Sequence, residues 1–184
     1  SEMGYHGCNS PKSIEKFISP EKLWPWQNND EWIVHCASPE VEDGPFVYRI
    51  ELMAKQIREL FGYIPDNLEE FALASQISQA EAFKFFIELF RTSKWRRTGI
   101  IWWNLIDGWP QFSDAVVDYY FTKKLAYSFI KNSQQPVCMM FKEPNNWEIN
   151  LCAANDTLSP VTVKYRVSSV AEDERTLLEG SADI

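Results

Sequence analysis

The stretch Gly99-Ile-Ile-Trp-Trp-Asn-Leu-Ile-Asp-Gly-Trp-Pro110, continued by Gln111-Phe-Ser-Asp-Ala-Val-Val-Asp-Tyr-Tyr120, decides how this chain is read. From Gly99 to Leu105 it is apolar on both alternating faces except at Asn104, which is the composition of a strand covered on both sides. Its C-terminal end changes character. Trp103, Asp107, Trp109 and Pro110 put flat rings and a carboxylate where strand gives way to loop, and 114–130 then reads as a helix. A strand with chemistry at its C-terminal end and a helix behind it is the unit from which α/β barrels are built.

Upstream of that strand the sequence predicts two helices. Val47 to Phe61 carries Ile50, Met53, Ala54, Ile57, Leu60 and Phe61 at helical spacing, and Gly62 closes it. Asp66-Asn-Leu-Glu69 resembles a capping box opening the second helix, which runs to about Lys94. Its apolar positions, among them Phe71, Leu73, Ile77, Ala80, Phe83, Ile87 and Phe90, are too many for one narrow stripe, so it should pack against two neighbours. Glu81, Lys84, Glu88 and Arg91 read as its wet face. The basic cluster Lys94-Trp-Arg-Arg97 reads as a solvated helix terminus.

Residues 20–46 form a long irregular segment rich in Trp and Pro. Trp24, Trp26, Trp32 and His35 there either wall a cleft or, the favoured reading, pin the loop to the body of the protein. Before it, Ser10-Pro11 starts a short helix with Ile14, Phe17 and Ile18 on one face, stopped by Ser19-Pro20. The first residues, Ser1-Glu-Met-Gly-Tyr-His-Gly7, read as the end of a strand belonging to a longer chain.

Composition changes at Asn132-Ser-Gln-Gln-Pro136, where a domain boundary is expected. Val137 to Phe141 and Trp147 to Ala153 read as a hairpin around Glu143-Pro-Asn-Asn146. Facing Cys138 with Cys152 puts Val137, Met139 and Phe141 opposite Ala153, Leu151 and Ile149, and Lys142 opposite Glu148. That register leaves both a disulfide and paired free thiols open. Val161 to Val167 reads as a further strand, and the acidic tail from Ala171 shows no terminal element.

Eight Trp in 184 residues require a large core or an aromatic-lined cleft, and sugar sites are one common use of the latter. The net charge of −8 argues against nucleic acid as partner. No apolar run approaches a membrane span, and no signal segment opens the chain. The four cysteines lack CxxC spacing and the two histidines lack ligand spacing, so neither metal nor cofactor is expected. The compartment stays open.

The motif Thr98 to Tyr120, with Lys124-Leu-Ala-Tyr127 behind it, resembles the last barrel strand of glycoside hydrolase family 2, most of all its β-mannosidase and exo-β-glucosaminidase branch. The helix carrying Gln79-Ala80 and Ile87-Glu88 to Arg91 is similar too. Ser1-Glu-Met-Gly-Tyr5 resembles the end of that family's seventh barrel strand, and Asn155-Asp-Thr157 the start of its following immunoglobulin-like domain. The resemblance implies an α/β fold: residues 1–132 as the C-terminal portion of a (β/α)8 TIM barrel, and 133–184 as a partial immunoglobulin-like β-sandwich.

It also implies roles. Glu2 matches the catalytic nucleophile of a retaining β-glycosidase, Trp103 the ring that floors the sugar site, and Asp107 a carboxylate that hydrogen-bonds sugar hydroxyls. Retaining enzymes need two carboxyl groups about 5–5.5 Å apart. The second, an acid/base following an Asn, has no counterpart, because the chain contains no Asn-Glu dipeptide. Ile106 stands where the family carries Asn, which leaves the sugar unspecified. The chain by itself is therefore expected not to hydrolyse glycosides. Bland readings stand beside these: an exposed terminal carboxylate for Glu2, core packing for Trp103, a loop or helix cap for Asp107. A non-catalytic carbohydrate-binding or assembly module is the competing class. Uncovered barrel edges would offer surfaces for homo-oligomers.

Overall fold

The computed structural model describes residues 1–36, 49–171 and 174–184. Strand β1 (Glu2–Gly4) is followed by α1 (Pro11–Ile14), a 3-10 turn (Pro20–Lys22) and α2 (Asp30–Val34). Then come α3 (Arg49–Phe61), α4 (Leu68–Arg91), β2 (Ile101–Trp103) and α5 (Leu125–Ser133). Four strands close the chain: β3 (Val137–Phe141), β4 (Leu151–Asn155), β5 (Thr162–Ser168) and β6 (Thr176–Asp183).

The organising element is α4. Asn67 caps it, its side chain accepting from the Glu70 amide at 2.9 Å, one residue later than the box read at Asp66-Glu69. Both α3 and α5 pack on α4, as its excess of apolar positions requires. Its first half feeds a core of Ile14, Trp32, Ile50, Met53, Ile57, Phe71 and Phe112. There the rings of Trp32 and Phe112 stack with centroids 4.3 Å apart. Its second half feeds another, of Ala80, Phe83, Ile87, Val116, Ala126 and Ile130. Val47 and Tyr48, the expected start of α3, lie outside the described residues, as does the whole of the expected irregular segment beyond Cys36.

Strands β1 and β2 pair in parallel, Glu2 with Ile101, Met3 with Trp102 and Gly4 with Trp103. Met3 and Trp102 pack against the second core, Trp102 meeting Phe83 edge-on at 5.8 Å. The opposite face is uncovered among the described residues: Ile101 is 70% exposed and Trp103 57%. The expectation of a strand buried on both faces is therefore corrected. The helices cover one side only.

Four further expectations change. The helix read over 114–130 begins at Leu125. Ahead of it the chain returns alongside the strand, the amides of Val116 and Val117 donating to Asn104 and Leu105 carbonyls at 3.1 and 3.0 Å. Asp118 then takes the Tyr120 and Thr122 amides at 2.9 Å each, which replaces the helical pattern by a turn. Within 20–46, the short helix α2 forms behind the Asn29 cap. The tail carries β6, paired antiparallel with β5. Finally, the hairpin turns at Asn145 to Glu148, with positive φ at Asn146 and Trp147, so pairing shifts by two residues. Cys138 opposes Ala154 and Cys152 opposes Met140, and all four cysteines are free thiols.

Candidate active site

Two parallel neighbours bring their C-terminal ends to one side of a sheet, where loops can build a site between them. Here the loop leaving β1 runs through Tyr5, His6 and Gly7, and the loop leaving β2 runs through Asn104 to Asp114. An amide from one meets a carbonyl of the other, Gly7 donating to Ser113 at 3.1 Å. Above this junction lies a cleft of ≈ 650 Å³. Glu2 and Trp103 both line it, together with His6, Arg49, Gln111 and Asp114. The structure thus brings together two of the three residues singled out from sequence, and the exposed Trp103 ring stands in the cleft wall.

Asp107 lies elsewhere. It is 4% exposed and sits beneath the loop, its Oδ1 accepting from Gln111 Nε2 at 2.7 Å and from Ser113 Oγ at 2.5 Å. Burial raises its pKa, against the nearby Lys124 ammonium and the two hydrogen bonds, which lower it. Gln111 and Ser113 both line the cleft, so Asp107 is linked to it by these two hydrogen bonds. The fixed Nε2 of Gln111 leaves its carbonyl oxygen as the free acceptor of that side chain.

The electrostatic centre of the cleft is a group that sequence reasoning missed. His6 is 1% exposed. Its Nε2 lies 3.2 Å from Arg49 Nη1, and its Nδ1 3.4 Å from Asp114 Oδ1. Arginine only donates, so Nε2 is the acceptor and Nδ1 carries the hydrogen. Burial first, then the Arg49 charge, pull the His6 pKa down to about 3, so the ring is neutral at physiological pH. Asp114, pushed up by burial and held down by Arg49 and Lys124, faces that guanidinium at 3.5 Å. A neutral ring, a carboxylate and a guanidinium offer donors and acceptors at close quarters, the equipment for reading hydroxyl groups. The sequence signals for them are faint: apolar spacing places Asp114 on a helix, and the spacing of His6 from His35 speaks only to metal ligation.

The tryptophans of the early segment do not line this cleft. Trp26 and Trp32 are buried, and Trp24 donates to the Asp66 carbonyl at 2.7 Å, so these rings pin the segment down. His35 Nδ1 donates to the Pro110 carbonyl, 2.7 Å away, and the ring stacks on Trp109, steadying the loop after β2 from behind. Among the described residues, no cluster of His, Cys, Asp and Glu could hold a metal ion, and no helix is long and apolar enough to cross a membrane.

No protein-family model matches the chain. Among curated proteins it is similar to β-mannosidase B of Thermothelomyces thermophilus, 34% identical over 91 residues, which are 46% of this chain and 10% of that protein. It is also similar to the exo-β-D-glucosaminidase of Arthroderma benhamiae, 27% identical over 135 residues, 69% of this chain and 14% of that one. Among solved structures, the β-D-mannosidase from Dictyoglomus thermophilum matches 100% of the chain with a TM-score of 0.84 and 27% identity, over 22% of its own length. An exo-chitosanase of Amycolatopsis orientalis shares the fold at a TM-score of 0.72, with 19% identity, over 99% of this chain and 21% of its own. The chain spans 10% to 22% of the length of these relatives.

Proposed function

Starting from a chain that is a relative of the β-mannosidases and exo-β-glucosaminidases of glycoside hydrolase family 2, we propose that it carries the nucleophile side of a retaining β-glycosidase site, most like that of a β-mannosidase. The observation that supports this reading is the shared cleft: Glu2 on β1 and the exposed Trp103 on the parallel neighbour β2 line one cavity. In the proposed reaction the Glu2 carboxylate attacks the anomeric carbon as the bond to the leaving oxygen breaks. The glycosyl-enzyme ester so formed is later opened by water. Trp103 offers a flat apolar platform for a sugar face. Asp107 serves substrate binding from below, by fixing Gln111 and Ser113.

On this reading β1 and β2 are the last two strands of a (β/α)8 barrel within residues 1–132, and 133–184 begins an immunoglobulin-like domain. The acid that must protonate the leaving oxygen has no counterpart of the Asn-Glu type in this sequence, so the chain alone is expected to leave an aryl β-mannoside intact. Turnover by the purified chain would overturn that. The nucleophile is tested by grafting residues 1–132 in place of the matching segment of the Dictyoglomus thermophilum enzyme. The graft should hydrolyse the aryl β-mannoside, and Glu2→Gln should cost on the order of 10⁴ to 10⁶-fold in kcat. An active graft indifferent to Glu2→Gln would sink the assignment. A carbohydrate-binding module would instead show saturable quenching of Trp fluorescence by oligosaccharides, with no effect of Glu2 on turnover in the graft.

A further inference from the structure

The two walls of the cleft are joined by more than the single backbone hydrogen bond from Gly7 to Ser113. Gln79, on α4, is completely buried. Its Nε2 reaches the Tyr5 carbonyl at 3.0 Å on one wall and the Asp114 carbonyl at 2.9 Å on the other. Lys124, 2% exposed at the entry to α5, does the same one step further along. Its Nζ donates to the Gly7 carbonyl at 2.6 Å and the Ser113 carbonyl at 3.3 Å. Two unrelated side chains from two helices thus each bridge the same pair of segments.

The surroundings are built for these bridges. A Cβ on Gly7 would stand 2.1 Å from Gln79 Oε1, so the glycine is what admits the amide. Lys124 pays for its burial by lying among Asp107, Asp118 and Asp114, whose charges oppose the burial that lowers its pKa. Buried donors that find partners on both sides of a gap fix its width, since stretching either bridge strands a polar group away from water.

We propose that Gln79 and Lys124 are positioning residues, cross-ties that set the spacing between the wall carrying Glu2, Tyr5 and His6 and the wall carrying Ser113 and Asp114. As a statement about catalysis this rests on the reading of Glu2 and Trp103 given above. As a statement about the cleft it is independent of it.

Amide hydrogen exchange in the full chain tests it directly, because the Gly7 amide donates across the gap. In the wild type that amide should be protected to the level of core amides such as Phe83. Exchange at loop rates would overturn the proposal before any substitution is made. Gln79→Met keeps volume and removes the donor, while Gln79→Asn keeps the amide and shortens its reach. Both should accelerate Gly7 exchange by about tenfold relative to Phe83. Both should also move or split the indole N–H resonance of Trp103, identified by its loss in Trp103→Phe, while leaving that of the exposed Trp147 in place. A general fall in stability would speed Gly7 and Phe83 alike and leave the Trp103 signal unchanged well below Tm, and that result would overturn the proposal. Intact cross-ties in a graft indifferent to Glu2→Gln would sink the catalytic reading alone.

Discussion

The first 133 residues and the last 48 are held together in different ways. In the first region large rings are removed from water in two clusters along α4: Trp32, Phe71, Phe83 and Phe112 are all at most 1% exposed. In the second, Met140 and Ala154 are the buried apolar residues among those described, and every residue of β6 is exposed. There the strands are specified by pairing and turn geometry rather than by burial. Burial makes a region intolerant of lost volume, whereas a ladder with two wet faces tolerates such losses.

The sharpest way to break this contrast is Phe112→Ala, which should cost about 3–5 kcal/mol in a denaturant melt, because the stacked partner Trp32 cannot fill the space. A smaller loss would mean that the first core is looser than its packing indicates. Next comes acid sensitivity. The unfolded chain binds a proton at His6 near pH 6.5, but the folded chain only near pH 3. Stability should therefore fall as pH drops through that window, by about 1.4 kcal/mol per unit at most from this group. The slope attributable to His6 should vanish in His6→Gln, measured as the difference between the two pH–stability curves.

The tie between the regions is expected to be weaker. Arg91 donates to the Ser133 carbonyl at 2.5 Å and to Asp156 Oδ2 at 2.8 Å, and Lys94 reaches Asp156 Oδ1 at 2.7 Å. Arg91→Ala should cost about 1–3 kcal/mol, chiefly through the stranded Ser133 carbonyl. Asp156, held below the usual carboxylate range first by Lys94, supports the tie above its unfolded pKa and loses that support as pH falls through the folded one. Smallest of all, Leu178→Ala on the wet face of β6 should change stability by no more than about 0.5 kcal/mol. A large effect there would mean that β6 is covered in solution.

What could be read in the sequence follows the same division. Helix α4 announces itself through dense apolar spacing and a cap residue, and β1 and β2 through the ordered motifs that carry Glu2 and Trp103. The segment from Asp114 to Lys124 departs from its expected helix because its apolar spacing is helical while its hydrogen bonds are not. The burial of Lys124 goes with contacts distant in sequence, with Gly7, Asp107 and Ser113, and periodicity carries no trace of them. Strand β6 escaped for the opposite reason, since Thr-Leu-Leu-Glu-Gly-Ser-Ala-Asp exposed on both faces has no alternation to detect. The hairpin register failed by two residues because the turn uses Asn146 and Trp147 with positive φ, a choice for which Trp gives no advance sign. The cleft is half legible: Glu2 and Trp103 by motif, and His6, Arg49 and Asp114 only by geometry.

The pairing of Glu2 with Ile101 also has a temporal side. Ninety-nine positions of chain separate these neighbours (101 − 2), so their contact closes one of the longest loops in the molecule, while α3, α4 and the turn between them need only local contacts. During synthesis the first wall of the cleft emerges long before the second exists. Until β2 has left the ribosome, the Met3 face of β1 lacks the neighbour it is built to meet, and Gln79 has only one of its two carbonyls to hold. The cleft should accordingly be among the last parts of this region to acquire native structure.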